Sequence, residues 1–332
     1  MSAREYREKL SEAVLELLWR QWGCLGVLGN LGGCSDFVLD PEALLVFTAR
    51  FARYDQRLYD AVAAWLVRYS RLVNLPRLKA ALRSARVMDT AALGYWASVV
   101  AGHGDKSWAR LADACRKGAG KAVPMFHGAA TGQPIRHAGQ DALALEYGLE
   151  RNPLVLQEKK VAPQLPRNAA TLLFTIRSHA GCSARAEMVL LLLLSPCCRL
   201  QELVDRSGYA RASVYEVMAE LLLGRVAEKI SPADRGGEYA LCHAERWRTL
   251  LDMPASCTFP RWQFVYDALG LIWEAVSNPR LEALSQQTFH GEIRRVLQSS
   301  ARRLFLHAGL PALQNMDTAR ALDLPQILSQ VQ

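Results

Sequence analysis

The chain lacks the features that would place it across a membrane, in an oxidising compartment or around a metal. Its longest apolar run, Met188 to Leu194, falls far short of the roughly 18 residues needed to span a bilayer. The opening segment MSAREYREKLSEAVLELLW mixes acids with bases and has no apolar stretch of secretory-signal type. A soluble, cytoplasmic protein with no membrane partner is therefore expected. Eight cysteines are scattered without a C-x-x-C pair, which argues against a zinc ribbon or a thioredoxin-like site and favours reduced, buried thiols. The adjacent Cys197 and Cys198 would suit a thiol or soft-metal sensor, but beside Pro196 an inert half-buried pair is the commoner outcome. No two of the seven histidines are spaced i, i+4 with a carboxylate between them. No spacing suggests a nucleophilic triad or paired carboxylates, so no enzymatic activity, cofactor or metal is expected.

What is present is helix. A chain of 332 residues, 51% hydrophobic and 22% charged, is long enough for two domains and too apolar for wholesale disorder. From Tyr6 to Trp22, Leu10, Val14, Leu17 and Leu18 recur at helical spacing and make one apolar face. Asp40-Pro41 is a helix start, with Asp as N-cap and Pro at the first turn. Further helices are expected near 41–53, 55–70, 75–85 and 89–101, and again near 260–277, 280–287 and 290–307. Glycines 23, 26, 29, 32 and 33 follow a helix rather than a strand, so they read as a loop or hinge and not as a dinucleotide fingerprint. Lys117-Gly-Ala-Gly-Lys121 lacks the first glycine and the Ser/Thr of a phosphate loop. The expected organisation is an N-terminal helical domain (1–117), a Gly/Pro-rich connector (118–168), a helix-turn-helix unit (169–250) and a C-terminal helical segment (251–332).

The most informative stretch is Arg199 to Cys242. Leu200 begins a twenty-residue unit whose ninth position, Gly208, falls where a tight turn between two helices favours glycine. Leu203 and Val204 face inward from the first helix, and Val214, Val217, Met218 and Leu221 form one stripe on the second. That leaves Arg211, Ala212, Ser213, Tyr215, Glu216 and Ala219 outside. Two short β-like runs then flank a Gly-Gly turn, with Lys229 at the base of the hairpin and Arg235 near its tip. Arg185 to Leu194 supplies a preceding helix, ended by Ser195-Pro196.

The run LQELVDRSGYARASVYEVMAEL, followed by a strand, GGEYAL and HAERWRTLL, resembles the winged helix-turn-helix transcriptional regulators of the ArsR and MarR type. The resemblance covers a fifth of the chain and departs from the pattern at Val204, where a small residue is usual. It implies a mainly α fold with a β-hairpin wing, and a repressor that binds double-stranded DNA as a homodimer. Arg211, Ser213, Tyr215 and Glu216 would face the major groove, with Lys229 and Arg235 on the backbone or minor groove. More loosely, LWRQWGCLGVLG and RYDQRLYDAVAAWLVRYSRL are similar to uncharacterised helix-turn-helix proteins encoded beside nucleotidyltransferase-type toxins. The aromatic-rich helices after residue 259 offer a dimer seam or the completion of a single core.

Charge complicates this picture. The net formal charge is +8, which favours acidic partners, yet residues 185–250 hold nine Lys/Arg and nine Asp/Glu. The basic excess lies in residues 50–86, with nine Lys/Arg against two acids. Arg77, Lys79 and Arg83 are therefore expected to touch phosphate, as part of a second, diverged helix-turn-helix, or else to form a solvated face or meet an acidic protein partner. The alternative function is a non-catalytic, antitoxin-like module that uses its winged helix for protein contact.

Overall fold

The computed structural model describes residues 1–29, 36–116, 121–230, 237–254, 256–317 and 319–331. It is mainly helical with little sheet. The N-terminal helices are α1 (Ala3–Cys24), α2 (Pro41–Phe51), α3 (Gln56–Tyr69), α4 (Leu75–Ser84), α5 (Thr90–Gly102) and α6 (Ala109–Cys115). Short polar side chains set their starts. Ser2 and Glu5 form a reciprocal capping box on α1, and Asp40, Asp55, Asn74 and Asp89 accept from first-turn amides of α2 to α5. A two-residue strand β1 (Val123–Pro124) then pairs in parallel with β2 (Leu149–Glu150), across the short α7 (Ala142–Leu145).

The second half begins with α8 (Leu172–Ala180) and α9 (Ala184–Leu194), followed by β3 (Cys198–Arg199), α10 (Leu200–Ser207) and α11 (Arg211–Leu223). Strands β4 (Ala227–Lys229) and β5 (Glu238–Leu241) come next, and β3, β5 and β4 form an antiparallel sheet in that order. Then follow α12 (Ala244–Leu250), α13 (Trp262–Val276), α14 (Gln286–Val296), α15 (Arg302–Ala308), α16 (Pro311–Gln314) and α17 (Leu324–Gln330). No helix of the described residues is long and apolar enough to cross a membrane.

The C-terminal helices do not stand apart. Helix α13 lies against α1 and α2, and α17 runs along α1. Phe47 stacks on Tyr266 at 4.9 Å between ring centroids, Phe51 meets Trp273 edge-on at 5.1 Å, and Tyr266 donates to Gln21 Oε1 at 3.0 Å. Trp262 Nε1 donates to the Val38 carbonyl at 2.7 Å, and Tyr6 donates to the Ala321 carbonyl at 3.0 Å. Trp262, Tyr266, Leu269, Ile272, Trp273 and Phe305 are all buried within this one chain. The residues expected to offer a dimer seam are thus largely core, and the division at 117 and 251 does not separate independent cores. Periodicity marks an apolar face but not which segment covers it.

The Gly/Pro-rich connector also differs from a free linker. Met125, Phe126, Tyr147 and Leu149 are buried against the N-terminal helices. Arg151 is fully enclosed, 2.7 Å from Asp60, with its guanidinium 5.3–5.7 Å from the ring centroids of Tyr59, Tyr95 and Phe126. The glycine-rich segment after α1 is tied to this connector by Leu28 N to Lys160 O at 2.7 Å and Ala162 N to Gly26 O at 2.8 Å. Gly26 has a φ of +92°, and a Cβ there would sit 3.1 Å from Pro166 Cδ. Of the five glycines, 32 and 33 lie outside the described residues, as do Lys117, Gly118 and Gly120 of the lysine-flanked segment.

Candidate nucleic-acid interface

Helix α10 stops because Gly208 takes a left-handed conformation, with a φ of +74°. Its amide reaches back to the Val204 carbonyl at 3.3 Å, closing the last turn. Tyr209 and Ala210 carry the chain across, and α11 starts at Arg211. Both α10 and α11 pack on the apolar helix α9. The inward face of α11 is Val214, Met218 and Leu221, all buried, with Val217 half-buried. Arg211, Ala212, Tyr215, Glu216, Ala219 and Glu220 are exposed, and Ser213 is half-buried.

The start of α11 has two properties relevant to an anionic ligand. Ala210 at the N-cap has no side chain able to accept from the first-turn amides, so the helix start carries no side-chain cap. Arg211 is held in place by its own helix: Nη2 donates to the Tyr215 hydroxyl at 2.9 Å, and the guanidinium carbon lies 5.3 Å from the ring centroid. Against these stand Glu216 and Glu220 on the outward face, although Glu220 is paired with Arg185 at 2.5 Å.

The antiparallel β4–β5 pair places Lys229 opposite Tyr239, and Ile230 N bonds Glu238 O at 2.8 Å. Lys229 is exposed, its aliphatic stem lying so close over Gly237 that a side chain there would collide with it. Residues 231–236, and with them Arg235, lie outside the described residues.

The cations of α4 divide. Arg83 is exposed and Lys79 half-buried. Arg77 is not available to phosphate: it pairs with Asp40 and, at 3.3 Å, with Glu42, and its Nη1 donates to the Ser207 carbonyl at 2.9 Å. Burial works against its charge, but Asp40, Glu187 and Glu42 hold the guanidinium above its ordinary value. The expectation for Arg77 is thus corrected, because its neighbours in space are three acids remote from it in sequence.

What Arg77 does instead is structural, within a network that sequence reading missed. Arg177 grips Glu42 with both nitrogens, at 2.8 and 2.9 Å, and also bonds Glu187 and the Leu72 carbonyl. Glu42 accepts from Asn74 N at 2.8 Å, and Asn74 Nδ2 donates to the Tyr209 hydroxyl at 2.7 Å. From Glu42 on α2 the contacts therefore branch, through Arg177 to α8 and α9, and through Asn74 and Arg77 at the start of α4 to Tyr209 and Ser207 on either side of Gly208. The only signal was the helix start at Asp40-Pro41, which its cap already explained.

Among the described residues, no group of three or more His, Cys, Asp or Glu is placed to hold a metal ion. Comparison with protein-family models, with curated proteins and with solved structures finds no match to this chain.

Proposed function

We propose that the chain is a sequence-specific, DNA-binding transcriptional regulator, a repressor acting as a homodimer through a winged helix-turn-helix. In this reading α9, α10 and α11 are the three-helix core, α11 is the recognition helix, and β4–β5 is the wing. The observation that carries it is the outward polar face at the start of α11, where the uncapped amides of the first turn and the pre-positioned Arg211 coincide. An α-helix presented in this way enters a major groove, with its first turns nearest the base edges. Arg211 then bonds guanine or phosphate, Tyr215 a phosphate or a thymine methyl, and Ser213 a phosphate beside them. Lys229 and Arg83 add phosphate contacts from β4 and from the far end of α4, about 9 Å along that helix from Arg77. Dimerisation matches the two-fold symmetry of the paired half-sites such helices read.

The test is a titration of DNA from upstream of the protein's own gene, by gel shift at fixed salt, with sedimentation reporting the dimer. Arg211→Ala with Tyr215→Ala should weaken specific binding by about a hundredfold or more, since each base contact contributes about 1–3 kcal/mol. Affinity unchanged in that variant removes α11 as the reading element.

A second reading draws on Leu223, which is 86% exposed at the end of α11, with Glu216 and Glu220 on the same helix. Such a surface suits contact with a protein, as in a non-catalytic, antitoxin-like module. A stable protein complex, combined with no DNA affinity at low salt, favours this second reading.

A further inference from the structure

A cavity of about 280 Å³ lies between α4, the end of α10 with its Gly208 turn, and the segment that opens α13. Its walls are largely apolar, including Ala80, Ala81, Phe259, Trp262 and Phe264. Into this setting come two guanidinium groups, Arg206 and Arg261, both half-buried. Among the described residues neither has a carboxylate within ion-pairing distance. Arg206 has only long contacts, 3.5 Å to Ser195 Oγ and 3.5 Å to the Phe259 carbonyl, and Arg261 lies 5.6 Å from the centroid of the Phe264 ring.

Burial holds the Arg206 guanidinium below its ordinary value; Cys198 and the Glu202 carboxylate pull the other way, and the charge of Arg261 adds to the effect of burial. Two like charges are thus brought together in a partly desolvated, apolar place with no carboxylate in ion-pairing range among the described residues, which costs stability unless something negative occupies it. The acids of the lining do not fill this role. Asp40 is engaged by Arg77, and Asp205 is exposed and accepts from Gln201 Nε2 at 2.8 Å. Gln263, which also lines the cavity, donates to Asp267 and leaves a buried Oε1 without a hydrogen-bond partner.

We infer that this cavity is a binding site for a small aromatic carboxylate. The carboxylate bridges Arg206 and Arg261, and the ring lies among Phe259, Trp262 and Phe264. The volume, at the low end for ligand pockets, limits the occupant to one or two fused rings. A carboxylate suits a guanidinium pair through charge-assisted bonds, and the apolar walls disfavour a bare, strongly hydrated anion. The site stands independently of the DNA-binding reading.

The experiment is ligand-observed saturation-transfer NMR on the full chain. The probes are indole-3-carboxylate and benzoate, with indole as the uncharged control and inorganic phosphate, followed by ³¹P line width, as the ring-free anion. Saturable binding of a carboxylate probe, weakened about tenfold or more in both Arg206→Gln and Arg261→Gln, is the expected result. Both variants must keep the helical circular-dichroism spectrum of the parent. Should one misfold, Arg206→Lys or Arg261→Lys replaces it, keeping the charge but losing the fork, with the same tenfold criterion. The inference is overturned if neither carboxylate gives a saturable signal at millimolar concentration, if indole binds as well as its carboxylate, if phosphate competes equally, or if folded variants bind like the parent.

Discussion

Cys182 and Cys257 show how local surroundings decide what a side chain can do. Burial pushes the Cys182 thiol up to about 11 against the pull of the Arg177 charge, and burial with the Asp36 carboxylate nearby pushes Cys257 up to about 11. Cys197 is also raised, by partial burial and by Glu238, whose carboxylate lies 3.6 Å from its sulfur, and burial raises Cys198. The thiolate is the nucleophile, so a raised value lowers reactivity at neutral pH, and the deficit closes only as pH climbs toward the folded value. Iodoacetamide at pH 8 should therefore label Cys182 and Cys257 about a hundredfold more slowly in the folded chain than in urea, from the thiolate fraction alone. The rate should climb as pH rises toward 11, read site by site by mass spectrometry. Labelling of either cysteine at pH 8 as fast as in the unfolded chain would contradict this account.

The segment from α10 through Gly208 to α11 is the element where local chemistry and observed geometry agree most closely. Gly208 sits in the left-handed region, and a Cβ built there meets nothing within 4 Å. The cost of Gly208→Ala is thus conformational, about 1–2 kcal/mol, and not steric. Gly208→Asn should cost less, because Asn tolerates that region, and Gly208→Val more. Urea unfolding of the three variants checks the order, and equal midpoints for Ala, Asn and Val would mean the turn had relaxed into another shape. This glycine was legible because a single position forces the backbone. The same holds for the buried stripe Val214, Met218 and Leu221, and for the helix start at Asp40, whose cap acts within three residues. Helices α6 and α8 were not foreseen: each is short, and its apolar face is defined only by what covers it. For α8 that cover includes Trp65, whose ring centroid lies 5.8 Å from that of Phe174. The fate of Arg77 was hidden for a related reason, since charge counted along a window does not reveal that Asp40 and Glu42 fold back onto it.

At the scale of the whole molecule, the N-terminal helices and the α8–α11 segment are joined by buried charge. Arg177 and Glu42 are both fully enclosed, and so is Glu187. Such clusters add little net stability when complete, because desolvation offsets the attraction, but they are costly to leave half made. Arg177→Met keeps much of the volume and removes the cation. Glu187 then has no ion-pair partner among the described residues, and Glu42 keeps only Arg77, at 3.3 Å. The loss should be about 3–5 kcal/mol, measured as a shift in the urea midpoint. Adding Glu187→Leu removes the stranded carboxylate, so the double variant should be more stable than the single one, the opposite of what two independent core losses would give. If the double variant is instead less stable by the sum of the two single changes, the cost lies in packing. Charge would then not be what fixes α2, α8 and α9 together, nor what lets Asn74 and Arg77 hold Tyr209 and Ser207 beside the turn.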